Sequence, residues 1–183
     1  MGTAIYMSSA SIGVLIALLA QVTLRLPAWQ AGLIFASAGG GGLLGSVLAP
    51  RLMKRLGWQR SLALAFLVAV VGMLGLALAL LLGSPVSGFV IALLANLVLD
   101  GAVSLSFIIT GTTSTLLTPR ELRGQVNAVG TMYTSAVRGL SLVAVGALTA
   151  SGSPLFAFLL LAGCFLCAAA APRLSRTARV ARL

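Results

Sequence analysis

Histidine is absent from this chain, acidic residues number two and cysteines two. Those shortages exclude most chemistry. A metal centre needs a cluster of nitrogen, sulfur or carboxylate ligands, and the chain has no such grouping in its sequence. An intramembrane serine hydrolase needs a base beside its nucleophile, yet there is no His and the single lysine, Lys54, lies in a polar stretch. The reading is therefore of a protein that is not an enzyme and takes neither a metal nor a cofactor. Cys164 and Cys167 form a C-x-x-C, but inside LFAFLLLAGCFLCAAAA. A reactive thiol needs a polar, accessible setting, so these two are read as small apolar residues of a membrane helix. They imply no disulfide framework.

Charge is scarce as well. Charged residues make up 8% of the chain, against about 25% in soluble domains. What is abundant is apolar: 60% of 183 residues. A spanning helix needs roughly 20 mostly apolar residues. Six such stretches are present, at about 4–24, 30–52, 60–82, 87–116, 122–150 and 154–171, with ends uncertain by about 2–4 residues. The expectation is an all-α membrane protein, a bundle of six transmembrane helices over 1–172 with a basic tail at 173–183. The first stretch lacks the basic n-region and cleavage site of a signal peptide and is read as a retained helix.

The net charge of +10 raises the question of nucleic acid, since basic patches are the footprint of phosphate binding. The positions answer it. Arg51, Lys54, Arg55 and Arg60 lie between the second and third stretches, Arg120 and Arg123 between the fourth and fifth, and Arg173, Arg176, Arg179 and Arg182 in the tail. Ten of the twelve basic residues thus fall on one side, with Arg25 opposite and Arg138 within a helix. Basic residues in short loops stay in the cytoplasm. Both termini are expected to face inward across a bacterial cytoplasmic membrane. No nucleic-acid partner is implied, and anionic lipid headgroups are a natural contact for the tail.

Two polar signals interrupt the apolar pattern. Thr118-Pro119-Arg120-Glu121 predicts a helix start, with Thr118 as N-cap, Pro119 in the first helical position and Glu121 closing a capping box. The second stretch holds Gly41, Gly45 and Ala49 at intervals of four, which lets helix backbones approach closely. A phosphate-binding glycine loop would follow a strand and open a helix, and this run does neither.

An ionisable side chain in hydrocarbon costs about 2.5–3.5 kcal/mol on insertion scales. Asp100 in the fourth stretch and Arg138 in the fifth are the two within spans. At ~1.5 Å per residue both lie roughly 18–20 Å from the outer helix ends, and sequential antiparallel helices tend to be neighbours, so an ion pair is sterically allowed. Asn96, Asp100 and Ser104 recur at four-residue spacing; Thr131, Thr134, Ser135, Arg138 and Ser141 follow one stripe of the next helix. Either the pair fastens two helices or it lines a pathway, with Asp100 as the only acid available to carry a proton. Gln21 in the first helix is a lone amide, a helix–helix contact or a further lining residue.

Two motifs carry a family resemblance over nearly the whole chain. The stretch GSVLAPRLMKRLGWQR, with Gly45, Arg51, Arg55, Gly57 and Arg60, is similar to the glycine-then-basic loop between the second and third helices of each half of a major facilitator superfamily transporter. Pro50 stands where a second Gly is usual and Lys54 where better-preserved copies have Asp. The stretch TPRELRGQVNA, with Pro119, Arg123, Gly124, Val126 and Ala128, resembles the P-x-x-x-R-G-x-V-x-A opening of the fifth helix. The chain resembles the C-terminal six-helix half of such transporters, particularly the bacterial drug- and siderophore-exporting branch.

The resemblance implies two three-helix repeats in inverted orientation, about 1–82 and 86–172, and a substrate site between two six-helix halves. It assigns Gly45, Arg51, Arg55, Gly57 and Arg60 to a cytoplasmic gating loop, which the Lys54 departure alters. It implies a secondary transporter of small organic solutes completed by a second half or a second copy. The alternative is a non-transporting remnant or a helix-packing subunit of a larger membrane assembly. The substrate itself is not legible.

Overall fold

A computed structural model describes residues 11–150 and 154–174. The tail beyond Leu174 and the expected start of the first helix near residue 4 lie outside them. The described residues are helical almost throughout. We label the helices α1 (Ser11–Thr23), α2 (28–56), α3 (58–82), α4 (Pro85–Leu117), α5 (Arg123–Ala150) and α6 (Pro154–Leu174).

The boundaries follow from local chemistry. α1 ends in a π-helical turn, Leu19–Thr23, and Arg25 adopts a positive φ of 48° before Pro27 sets the extended residue ahead of α2. Helical hydrogen bonding runs from Ala28 to Leu82 with one interruption, at Gly57, where φ is 75° and ψ 165°. That backbone region is essentially restricted to glycine. An unbroken helix of 55 residues would extend about 80 Å, far beyond the roughly 30 Å of bilayer hydrocarbon; Gly57 divides it into two antiparallel lengths. Pro50 lies inside α2 without ending it, as membrane helices tolerate. Gly83 closes α3 in a left-handed conformation, φ 58°, and Pro85 opens α4 in its first turn, the usual asymmetry of helix ends.

Alpha-helix α4 is the centre of the packing. On one side it meets α2 through glycines: a Cβ added to Gly41 would overlap the Leu97 carbonyl, and one at Gly45 the Gly101 carbonyl. On the other it meets α3, where a Cβ at Gly72 would lie 2.8 Å from that of Leu99. Small residues permit this approach where burial of oil against oil supplies no drive. α6 packs against α3 through Phe66 and Phe165, whose ring centroids are 6.2 Å apart and which are both buried. α1 reaches α5 through a hydrogen bond from the Ser11 hydroxyl to that of Ser141, 3.0 Å.

The outer surface is oily. Leu43, Leu81, Val129 and Val143 are each more than 60% exposed, which a water-soluble surface would not carry in this density. Three helical runs, Ala28–Leu82, Pro85–Leu116 and Arg120–Ala150, are long and apolar enough to cross a membrane. The molecule is an all-helical membrane protein.

Candidate functional site

The expected neighbouring of α4 and α5 is not what the fold adopts. The two helices diverge from their connection at Thr118–Leu122 and enclose a groove of about 680 Å³. Its α4 wall carries Phe107, Thr110, Gly111, Ser114, Thr115 and Thr118; its α5 wall carries Arg123, Gly124, Val126, Asn127, Gly130, Thr131 and Thr134. The reason is that α4 spends its other faces on α2 and α3, leaving one stripe open. Phe107, Gly111, Ser114 and Thr118 recur on that stripe at intervals that place them along one side of a helix.

The groove has a consistent hydrogen-bonding character. The hydroxyls of Thr115, Thr118, Thr131 and Thr134 donate to the carbonyls of Gly111, Ser114, Asn127 and Thr131 on their own helices, at 2.8 to 2.9 Å. Each donor is thereby satisfied within its helix, so these hydroxyl oxygens remain as acceptors. Thr110 is different: its hydroxyl is buried with no hydrogen-bond partner among the described residues. Among the described residues Arg123 is the only charged one on the groove walls, and its Nε donates to the Thr118 carbonyl at 3.2 Å. The site can receive a polar solute but holds no acid–base pair.

The structure disperses the other expected site residues. Asp100 is half-buried on α4 and Arg138 is exposed on α5; among the described residues no ion pair joins them, because the helices diverge. Arg138 stands one turn beyond Thr134 on the α5 stripe, and Ser135 beside it is exposed. Asn96 is fully buried and donates to the Ile34 carbonyl at 2.7 Å and the Ser37 hydroxyl at 3.2 Å. It clamps α4 to α2 instead of facing an opening. Gln21 is exposed in the middle of the π turn.

The capping box does not form. Pro119, not Thr118, is the N-cap residue of the short 3-10 turn Arg120–Leu122, with no side-chain cap. Thr118 is instead the C-cap of α4, its hydroxyl committed to the Ser114 carbonyl. Glu121 and Gly124 are exposed. In the basic corner, Arg51, Lys54, Arg55 and Arg60 are all exposed around Gly57, while Gly45 is buried against α4. Cys164 and Cys167 are free thiols.

Sequence reasoning passed over Thr110, Ser114, Thr115 and Asn127. A signal was present: TGTTST at 110–115 places five hydroxyl residues in six positions of an apolar helix.

Comparison with known proteins places the chain among relatives. A profile of the Major Facilitator Superfamily matches residues 1–142. A stretch of 54 residues is 48% identical to an uncharacterized MFS-type transporter, YcaD, of Escherichia fergusonii, and 44% identical to another, Ent638_1421, of Enterobacter sp. (strain 638). That stretch is 30% of this chain and 14% of each relative, so the relatives are about twice as long. No solved structure matches the chain.

Proposed function

The chain belongs to the Major Facilitator Superfamily, and we propose that it is the C-terminal six-helix half of a secondary active transporter that exports small organic solutes. In this reading each of the six helices crosses the bacterial cytoplasmic membrane, in two three-helix repeats of opposite orientation over about 1–82 and 86–172. Ten of the twelve basic residues on one side support cytoplasmic termini. A second six-helix unit, separately supplied or a second copy, closes the open side of the groove.

One observation carries the reading. α5 bears Asn127, Thr131, Thr134 and Arg138 along one stripe that is not buried, and its buried residues, Ser141 and Val145, come further along that same stripe. A polar stripe against hydrocarbon is costly; against a water-filled cleft with an opposite wall it is not. The length of the relatives agrees with a missing wall. Asp100, as the only acid within the spans, is the candidate proton carrier, and the basic corner with Gly57 is the candidate gating loop.

The test uses proteoliposomes holding the chain alone or with a second six-helix unit, assayed for proton-driven movement of a panel of small organic solutes. Transport is expected only with both units, and to fall at least about tenfold in Asp100→Asn, the loss of roughly 1.4 kcal/mol in coupling or more. Unchanged transport in Asp100→Asn removes that residue from the coupling. Transport by the chain alone removes the need for a partner, and no transport in either case favours a packing role.

A further inference from the structure

A second groove lies away from the polar one and does not depend on the transport reading. It has a volume of about 330 Å³ and an apolar lining throughout, with Leu44, Leu48 and Leu52 on α2, Leu64 and Val68 on α3, and Gly101 in the floor on α4. The floor is deep because Gly45 and Gly101 meet without side chains. The rim is open, with Leu44, Leu48 and Leu64 between 40% and 54% exposed.

The groove runs toward the Gly57 corner, and there the chemistry changes. Arg51 and Arg55 follow Leu48 and Leu52 by three residues, and Arg60 precedes Leu64 by four, spacings that put each cation on the same helix face as a groove leucine and one turn nearer the corner. All three, with Lys54, are exposed. Of the two acids of the chain, Asp100 adjoins Gly101 of the floor but does not line the groove, and Glu121 is at the α4–α5 connection. Three cations at the mouth of an oil-lined channel match an amphiphile with a hydrocarbon tail and a negative head.

We propose that this groove is a binding site for one anionic phospholipid, its acyl chain between α2 and α3 over Gly101 and its phosphate on Arg51, Arg55 and Arg60. Acyl burial and headgroup attraction act together, as in membrane anchors that combine a chain with a polybasic patch. A lipid held so braces the two helices on either side of their only break.

The intact chain carrying Trp29→Phe keeps Trp58, beside Gly57, as the single tryptophan. It is reconstituted in vesicles of phosphatidylcholine and phosphatidylglycerol in which one lipid or the other carries bromine on its acyl chains, and Trp58 quenching is read. Brominated phosphatidylglycerol is expected to quench more per molecule than brominated phosphatidylcholine, with a preference of roughly thirtyfold for two cations. Arg51→Gln/Arg55→Gln and Val68→Phe should each abolish it. Val98→Phe, at a rim position 37% exposed, fills the same groove with less demand on the core, and retained helicity by circular dichroism certifies each variant. Equal quenching by the two lipids in the parent overturns the proposal. So does a preference that vanishes with the arginines but survives both phenylalanines, since cations alone would then collect the lipid. A preference that falls as protein density rises also overturns it, because a second copy would then be covering the groove.

Discussion

The side-chain amide of Asn96 on α4 donates to the main-chain carbonyl of Ile34 on α2 at 2.7 Å, in a place from which solvent is excluded. The same carbonyl accepts the Ser37 hydroxyl at 2.7 Å, so α2 and α4 share a small buried polar network. Interhelical hydrogen bonds of this kind in membranes contribute about 0.6 kcal/mol on average and at most about 1.7.

Asn96→Ala is accordingly expected to lower stability by about 0.5–1.5 kcal/mol. Asn96→Asp should cost more, by about 2 kcal/mol or above, since it replaces the donor by a charge facing two acceptors. Unfolding in mixed detergent micelles measures both. A neutral Asn96→Asp would mean that the amide does not tie the helices.

Gly41 and Gly45 are predicted to be intolerant of a single added methyl group. Its clash at either site is with a main-chain carbonyl of α4, which cannot rotate away, so Gly41→Ala and Gly45→Ala should each cost about 1–3 kcal/mol. Gly39, two residues earlier, has open space around its Cα. There Gly39→Ala should stabilise by about 0.5–1 kcal/mol through helix propensity. The same unfolding assay separates the two behaviours.

Gly57 owes its identity to its backbone. With φ at 75° and ψ at 165°, any L side chain is strained, and Gly57→Ala should cost about 1–3 kcal/mol even though nothing crowds the site. Restoration by D-alanine, placed by semisynthesis, would distinguish a conformational cost from a steric one.

The helices themselves were legible because apolar run length is a strong signal. Expected stretches at 60–82 and 122–150 differ from α3 and α5 by two residues or fewer. The end of the second was not legible. The run RLMKRL reads as a polar loop, yet its residues are good helix formers, and α2 continues through it until Gly57 turns the chain. Tertiary pairing was less visible still. Proximity in sequence favoured α4 beside α5, whereas the small residues Gly41, Gly45 and Gly72 give α4 its actual neighbours. Thr118 was misassigned because a Thr before Pro fits either helix end, and only the fold shows which carbonyl its hydroxyl meets.

The central claim is that the stripe on α4 and α5 lines an aqueous cleft and not a lipid-covered face. In a Cys164→Ala/Cys167→Ala background, single cysteines at Ser114, Thr131 and the exposed α3 position Leu78 are reacted with a membrane-impermeant maleimide in sealed and opened vesicles. The account predicts that cysteines at 114 and 131 label fast in opened vesicles while one at 78 stays unreactive. Equal protection of all three would contradict it, because the groove would then be filled by hydrocarbon.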